Sequence, residues 1–388
     1  MLFLKPDHLG DVLLATPALA ALRQAFPSAQ ITALVGPWSE FVLQNNPDVD
    51  RLLVCPFPGF ERAAKEENRG SRIEDRRSRS LILARLSSIV YRLSSLLRPY
   101  LTLLRHAMLL RAGSYDLAIV ARDDHWWGAA LALLAGIPRR VGFAVPECRP
   151  FLTTTLPWDP RAHVTRQALE LVAAAATDPA QTLPALQEPP ARFEPSQADL
   201  DWADEWIDAR ELDAGQRLVV LHPGTAGPDK LWFPERWAAV ADAIVQDGAR
   251  LVLTGGPSEV ALVDDIAGRM AVHPPTLAGQ TSVGQLAALL RRADLVMGVD
   301  SGPLHLAAAQ GAPTLHLYGP GDAGRFGPWG APERHIVVRE PLWCSPCGVF
   351  DACPRGLERP ECMEAIRVER VVSVARGMLA DGARSANR

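Results

Sequence analysis

Four short runs of the sequence carry side chains able to hold a phosphorylated ligand or to move a proton. In KPDHLGDVLLATPAL (5–19), Gly10 and Asp11 follow an apolar strand and open a helix. A carboxylate at a helix start is stabilised as the anion, so it stands ready to accept a proton. In HPGTAGPDKLWFPERW (222–237), Gly224, Thr225, Gly227 and Lys230 fill the turn before a helix that starts near Pro234. Small residues let the backbone approach a ligand there, and a lysine neutralises phosphate. In LTGGPSE (253–259), Glu259 follows a glycine-rich strand end, where an acid accepts hydrogen bonds from ribose hydroxyls. In VMGVDSGPLHLAAA (296–309), Asp300, Ser301 and Gly302 interrupt an apolar run between a buried strand and a helix with Pro303 in its first turn. The positive end of the helix dipole points outward at such a place, which suits a phosphate. Taken singly, each run has a plainer reading: Asp11, Glu259, Asp300 or Ser301 as a helix cap, Lys230 as a solvated lysine. Three of the runs end strands in the second half of the chain, and together they outline one nucleotide-diphosphate pocket.

The elements that would position these runs alternate between strand and helix. In the first half, strands are expected at 2–4, 31–36, 51–57, 116–121 and 139–143, with helices at 11–25, around 38–45 and at 126–136. A polar, proline-bearing stretch, TDPAQTLPALQEPPARFEPS (177–196), reads as a linker. A second alternating set follows, with strands at 217–224, 250–256, 294–300 and 313–319. Helices are expected at 234–248, 258–270, 282–293, 303–310 and 363–379, and a glycine- and proline-rich loop at 319–332. This pattern predicts an α/β chain of two doubly wound, Rossmann-like domains over 1–177 and 216–388, joined through 178–215, with a ligand cleft between them.

Composition narrows the function. A net charge of −4 over 388 residues gives no sign of nucleic-acid binding. No GxGxxG follows the first strand and no GxxxxGK[ST] occurs anywhere, so dinucleotide and P-loop readings lose ground. No paired DxD acids are placed for Mg²⁺, which leaves Lys230 and helix N-termini to meet phosphate charge. No signal peptide or apolar run long enough for a membrane span is evident, and six cysteines do not suggest a secreted disulfide scaffold. Cytoplasm is the default.

The combination of HLGDVLLATPALAALRQAFP, HPGTAGPDKLWFPERW, the glycine strand end with Glu259, and VMGVDSGPLHLAAAQGAPTLHLYGP resembles the ADP-heptose:lipopolysaccharide heptosyltransferases of glycosyltransferase family 9. The likeness covers most of the chain outside 60–112. It implies the GT-B architecture, an N-terminal acceptor-binding domain and a C-terminal nucleotide-sugar-binding domain. It implies that Asp11 is the general base, that Lys230 holds the donor diphosphate with Thr225 nearby, and that Glu259 meets the ribose. It also implies that Asp300, Ser301 and Gly302 meet the donor sugar and phosphates. The implied reaction is an inverting transfer without a cofactor, from ADP-heptose or a related sugar nucleotide to a lipid-linked saccharide such as the lipopolysaccharide core. His305, in the same motif, reads as a core or helix-capping histidine. Lys5-Pro6-Asp7-His8-Leu9 departs from the arginine and serines usual before Gly-Asp, and this bears on the acceptor. The alternatives are a GT-B transferase for another nucleotide sugar, a GT-B sugar epimerase and a nucleotide-sugar-binding protein.

Two segments lie outside that scheme. Residues 76–111, within the insertion at 60–112, hold eight arginines and no acid among leucine-rich runs. Arg85, Arg92, Arg98, Arg105 and Arg111 recur about every two helical turns, which predicts a cationic amphipathic helix on an anionic membrane surface, at the inner face of the cytoplasmic membrane. The plainer reading packs its leucines on the N-terminal domain. Cys344, Cys347, Cys353 and Cys362 could bind zinc tetrahedrally or stand as buried thiols; a structural role is expected rather than a catalytic one.

Overall fold

The computed structural model of the protein describes residues 1–60, 97–176, 188–210 and 216–386. Its frame is two parallel sheets. The first runs β3-β2-β1-β4-β5-β6, built from Leu2–Lys5 (β1), Thr32–Val35 (β2), Arg51–Val54 (β3), Leu117–Val120 (β4), Arg139–Phe143 (β5) and Thr154–Leu156 (β6). The second runs β11-β10-β9-β7-β8, from Leu218–His222 (β7), Arg250–Leu253 (β8), Leu295–Val299 (β9), Thr314–Leu317 (β10) and His335–Val338 (β11). Every pairing is parallel. The first order is that of a doubly wound nucleotide-binding sheet, and its chain reversal lies between β1 and β4.

Helices cover both faces. In the front lobe they are Leu9–Leu13 (α1), Thr16–Ala25 (α2), residues 97–111 (α3), Trp126–Leu134 (α4) and Val164–Ala176 (α5). Gln197–Asp208 (α6) follows. The rear lobe adds Pro234–Gln246 (α7), Val260–Arg269 (α8), Val283–Arg291 (α9), Gly302–Ala309 (α10), Ala323–Phe326 (α11), Glu361–Glu364 (α12) and Val368–Ala386 (α13). Because both faces are covered, the central strands β1, β2, β4, β7 and β9 are buried along their whole length and their side chains alternate between two cores. Leu295, Met297 and Val299 point to one side, Val296 to the other. One apolar cluster is continuous across the lobes, joining Val12, Leu13 and Leu19 to Val220, Val296 and Leu304.

The GT-B-like fold expected of the sequence is therefore present, with differences in detail. The helix expected over 11–25 is two helices. Pro17 cannot donate to Leu13, and the Thr16 hydroxyl donates to the Leu13 carbonyl instead, at 2.7 Å. The helix expected around 38–45 is only a 3₁₀ turn, Glu40–Val42, closed in by Pro37 and by Asn45-Asn46-Pro47. Within 178–215 stands α6, capped by the Ser196 side chain, and it packs on α9 with Arg292 paired to Asp204 at 2.6 Å. The loop at 319–332 contains α11, capped by Asp322. Of the basic segment 76–111, residues 76–96 lie outside the described residues.

Candidate active site

The carboxyl ends of the two sheets face each other, and the first helix after β1 meets the first helix after β9. The approach is close because each helix has a glycine in its first turn, Gly10 in α1 and Gly302 in α10. A Cβ at Gly302 would lie 2.8 Å from Leu9 Cδ2, and one at Gly10 would lie 3.1 Å from His305 Cδ2. Between them opens a cavity of about 540 Å³. It is lined from the front by His8, Gly10 and Asp11, and from the rear by Thr225, Lys230, Glu259, Asp300, Ser301 and Gly302. The structure thus brings the seven residues singled out from the sequence into one place, although Asp11 and Gly302 are 291 positions apart in the numbering.

On the rear wall Lys230 is paired rather than free. Its ammonium lies 3.1 Å from Asp300 Oδ2 and 4.8 Å from the centre of the Phe350 ring. The Thr225 hydroxyl donates to the Asp300 carbonyl at 3.0 Å, which ties the turn after β7 to the end of β9. No side chain caps α10. The capping role open to Ser301 is not the one it takes: its hydroxyl is buried without a hydrogen-bond partner at the cavity wall. A buried polar atom left so costs about 1–3 kcal/mol, which a ligand can recover. Glu259 accepts from the Gly256 N–H at 2.6 Å and lies 3.4 Å from His222 Nε2. Burial alone would raise its carboxyl, but the hydrogen bonds and charge of His222, with the Gly256 N–H, hold it below the usual range. Lysine, orphaned hydroxyl and open helix N-terminus together form an anion cradle; Glu259 is a nearby acceptor for hydroxyls.

On the front wall Asp11 sits in the first turn of α1. Burial pushes its carboxyl up to about 6; Asp7 and Asp300 add to the rise, while Lys5 and Arg122 oppose it. Asp7 is buried between Lys5, 2.9 Å away, and Arg122, to which it also hydrogen-bonds. Burial works against its ionisation, but these two cations prevail and hold it below the usual carboxylate range. The stretch that departs from the family pattern is thus an ion-pair cluster directly behind Asp11. His305 is a core residue and not a cap: it is buried at the lobe contact, its Nδ1 has no hydrogen-bond partner, and burial pushes it down to about 4.

Sequence reasoning missed Arg122 and Phe350, and noted Asp7 and His8 only as part of a stretch that bears on the acceptor. Arg122 follows β4 in ARDD, at a strand's carboxyl end, so the strand-end rule applied to the second half could have found it. Phe350 belongs to an irregular segment and gave no signal. The four clustered cysteines do not form the tetrahedral site their spacing allows. Among the described residues no three or more His, Cys, Asp or Glu are gathered to hold a metal ion. All four thiols are free, Cys347 exposed and Cys362 buried in α12, where burial pushes it up to about 11.

Comparison with known proteins bears on this site. A profile of glycosyltransferase family 9 (heptosyltransferase) matches residues 103–352. The chain is 27% identical over 391 residues to lipopolysaccharide heptosyltransferase 3 of Escherichia coli K12, covering 98% of each chain. Over 147 residues it is 31% identical to lipopolysaccharide heptosyltransferase 1 of the same strain, covering 38% of this chain and 44% of the relative. Among solved structures, the family 9 glycosyl transferase from Veillonella parvula superposes with a TM-score of 0.73 at 25% identity, covering 98% of this chain and 97% of the other. E. coli heptosyltransferase WaaC with ADP superposes at 0.64 and 21% identity, covering 97% and 99%, a likeness of fold.

The raised carboxyl of Asp11 has a consequence for stability. An unfolded aspartate titrates near 4, so between about 4 and 6 the folded chain holds the extra proton and stability falls as pH rises. The loss, on the order of 2 kcal/mol, is complete above about 6. Asp11→Asn removes it. Thermal unfolding from about pH 4 to 8 should show the variant gaining on the wild type between about pH 4 and 6 and holding that lead above; parallel curves across about pH 4 to 6 would contradict the assignment.

Proposed function

The chain belongs to glycosyltransferase family 9, the heptosyltransferases, and from that premise we propose that it transfers a heptose from ADP-heptose to a lipid-linked saccharide such as the lipopolysaccharide core. The protein is a glycosyltransferase; donor, acceptor and residue roles are the proposal. The full-length relative in E. coli is named for lipopolysaccharide heptosyl transfer, and WaaC was solved with ADP. The observation that carries the reading is one cavity with Asp11 on its front wall and Lys230 and the unpartnered Ser301 hydroxyl on its rear wall.

We assign residues 216–388 to the nucleotide sugar and 1–177 to the acceptor. The diphosphate lies against Lys230, Ser301 and the N-terminus of α10, and the ribose lies near Glu259. An acceptor hydroxyl attacks the anomeric carbon while its proton passes to Asp11. The bond from that carbon to the diphosphate oxygen breaks in the same displacement, and its electron pair leaves on the diphosphate. The charge developing there is met by groups already in place, the arrangement that gives electrostatic catalysis its effect. With its carboxyl near 6, Asp11 is ionised at neutral pH yet basic enough to take a proton.

The test is transfer itself. Purified protein with ADP-heptose and a lipopolysaccharide core lacking its outer sugars should add one heptose by mass. Turnover of donor without acceptor would favour an epimerase, and no turnover at all a binding protein. Rate should fall on acidification through about pH 6. Asp11→Asn should lower kcat by about 10²–10⁴-fold, the range for general base catalysis, with ADP affinity unchanged. Lys230→Met should weaken ADP binding by roughly 10–100-fold in calorimetry, as expected for a charged hydrogen bond.

A lipid-linked acceptor also fits the surface of α3. Leu103, Ala107 and Leu110 are buried, yet Leu97, Tyr100, Leu101, Leu104, Met108 and Leu109 are each more than half exposed. Arg98, Arg105 and Arg111 stand exposed among them. A helix apolar outward and fringed by arginines suits an anionic lipid surface. No helix among the described residues is long and apolar enough to cross a membrane. We place the enzyme on the inner face of the cytoplasmic membrane. Vesicles containing phosphatidylglycerol should retain the wild type and release a Leu101→Asp, Leu104→Asp, Met108→Asp variant of unchanged melting temperature. Equal retention would remove this part of the reading.

A further inference from the structure

Phe350 reaches the rear wall of the cavity from a segment after β11 that has no regular structure. Several hydrogen bonds hold the segment in place. The Ser345 hydroxyl donates to the Gly319 carbonyl at 2.6 Å, and the Cys347 and Gly348 N–H groups donate to the Pro320 carbonyl at 3.2 and 2.9 Å. The Phe350 carbonyl accepts from the Asp229 N–H at 3.0 Å. Ties to the loop after β10 and to the turn after β7 therefore fix the segment from two sides. Room beside Phe350 is made at Gly227, where a Cβ would lie 2.7 Å from Phe350 Cβ. Apolar packing does not account for this placement. The side chain remains 36% exposed and belongs to none of the three apolar clusters among the described residues. Its neighbour is a cation: the Lys230 ammonium stands over the ring, 4.8 Å from its centre. Lysine carries a compact charge on a flexible stem, so its position has to be held by something. Asp300 holds it from one side at 3.1 Å, but a carboxylate also cancels its charge. The face of a ring attracts an ammonium through its quadrupole and leaves that charge in place.

We propose that Phe350 is a positioning residue for the donor: its ring holds the Lys230 ammonium toward the diphosphate of the nucleotide sugar and acts on that ligand only through the lysine. The inference rests on the glycosyl-transfer reading and deepens it, giving a role to a side chain outside the glycine-rich runs. An ammonium has three donors, and a ring face occupies the cation without supplying an acceptor that competes with phosphate oxygens. The contact with Asp300 can then yield to the diphosphate while the ring keeps the cation at the wall. A cation fixed before the ligand arrives lowers the ordering cost of binding.

ADP binding to the full chain, measured by calorimetry, tests this. Phe350→Leu keeps an apolar side chain but removes the ring, and should weaken ADP roughly 3–10-fold, the range for a partly exposed cation–ring contact. Phe350→Tyr keeps the ring face and should bind ADP within about twofold of the wild type. In a Lys230→Met background, Phe350→Leu should bring no further loss, because the two side chains act as one unit. Melting temperatures check folding; should Phe350→Leu not fold, Phe350→Met takes its place with the same expectation. Wild-type affinity in the ringless variant, a loss carried undiminished into the Lys230→Met background, or failure of tyrosine to restore affinity would overturn the inference. Heptose transfer is assayed separately. A chain that couples Phe350 to Lys230 but transfers no heptose loses the transfer reading alone, and one that transfers heptose without this coupling loses the inference alone.

Discussion

The packing of two helix N-termini against each other, at Gly10 and Gly302, is the constraint on which the site depends. Each helix follows the middle strand region of its own sheet, so the approach fixes where the carboxyl ends of both sheets meet. Glycine is needed because a Cβ at either position falls within 2.8–3.1 Å of a neighbouring side chain. The apolar cluster continuing from Val12 and Leu13 to Leu304 holds the same junction from below. A carboxylate one residue after Gly10 and a hydroxyl one residue before Gly302 are then brought to opposite walls of one space. Asp11 comes from the front lobe and the lysine, orphaned hydroxyl and helix N-terminus facing it from the rear lobe, so the cavity needs both.

Electrostatics acts within that geometry. Asp7 and Asp11 are four residues apart, share the same cations and are pushed in opposite directions. Asp7 has Lys5 and Arg122 in direct contact, and their attraction exceeds the penalty of burial, so it stays a carboxylate. Those cations are then committed, and Asp11 is left with burial and a neighbouring negative charge, so its proton affinity rises. Pairs of titratable groups separated in this way commonly mark acid–base machinery. On the other wall the Lys230–Asp300 pair, at 3.1 Å, keeps a cation in place near the anion cradle.

Much of this was legible in the sequence, for definable reasons. Parallel strands buried on both faces read as short apolar runs, and the residues just after them are where ligands bind, so Thr225, Lys230, Glu259 and Asp300–Gly302 stood out. What was not legible depended on tertiary position. Arg122 becomes important only because β4 pairs with β1 and sets it beside Asp7. Phe350 comes to Lys230 only because its segment is tied to the turn after β7 and the loop after β10, bonds that periodicity does not reveal. Pro17 sits at a permissible helix position, so the break between α1 and α2 depended on a side-chain hydrogen bond from Thr16. The cysteine spacing suggested a metal site, but spacing along the chain does not fix where thiols converge.

Unpartnered polar atoms separate the site from the rest of the molecule only when they are read together with the cavity. Trp237 Nε1 and Thr32 Oγ1 are also buried without partners, yet both lie in the cores of single lobes and do not line it. An isolated orphan of that kind is a local cost of packing large or β-branched side chains. Ser301 and His305 differ because both line the space that Asp11 also lines. Two penalties of about 1–3 kcal/mol each, concentrated where the lobes meet, are hard to explain by packing. They follow directly if those atoms are arranged for a ligand that completes their hydrogen bonds, because a site preorganised for its ligand sacrifices stability in its absence.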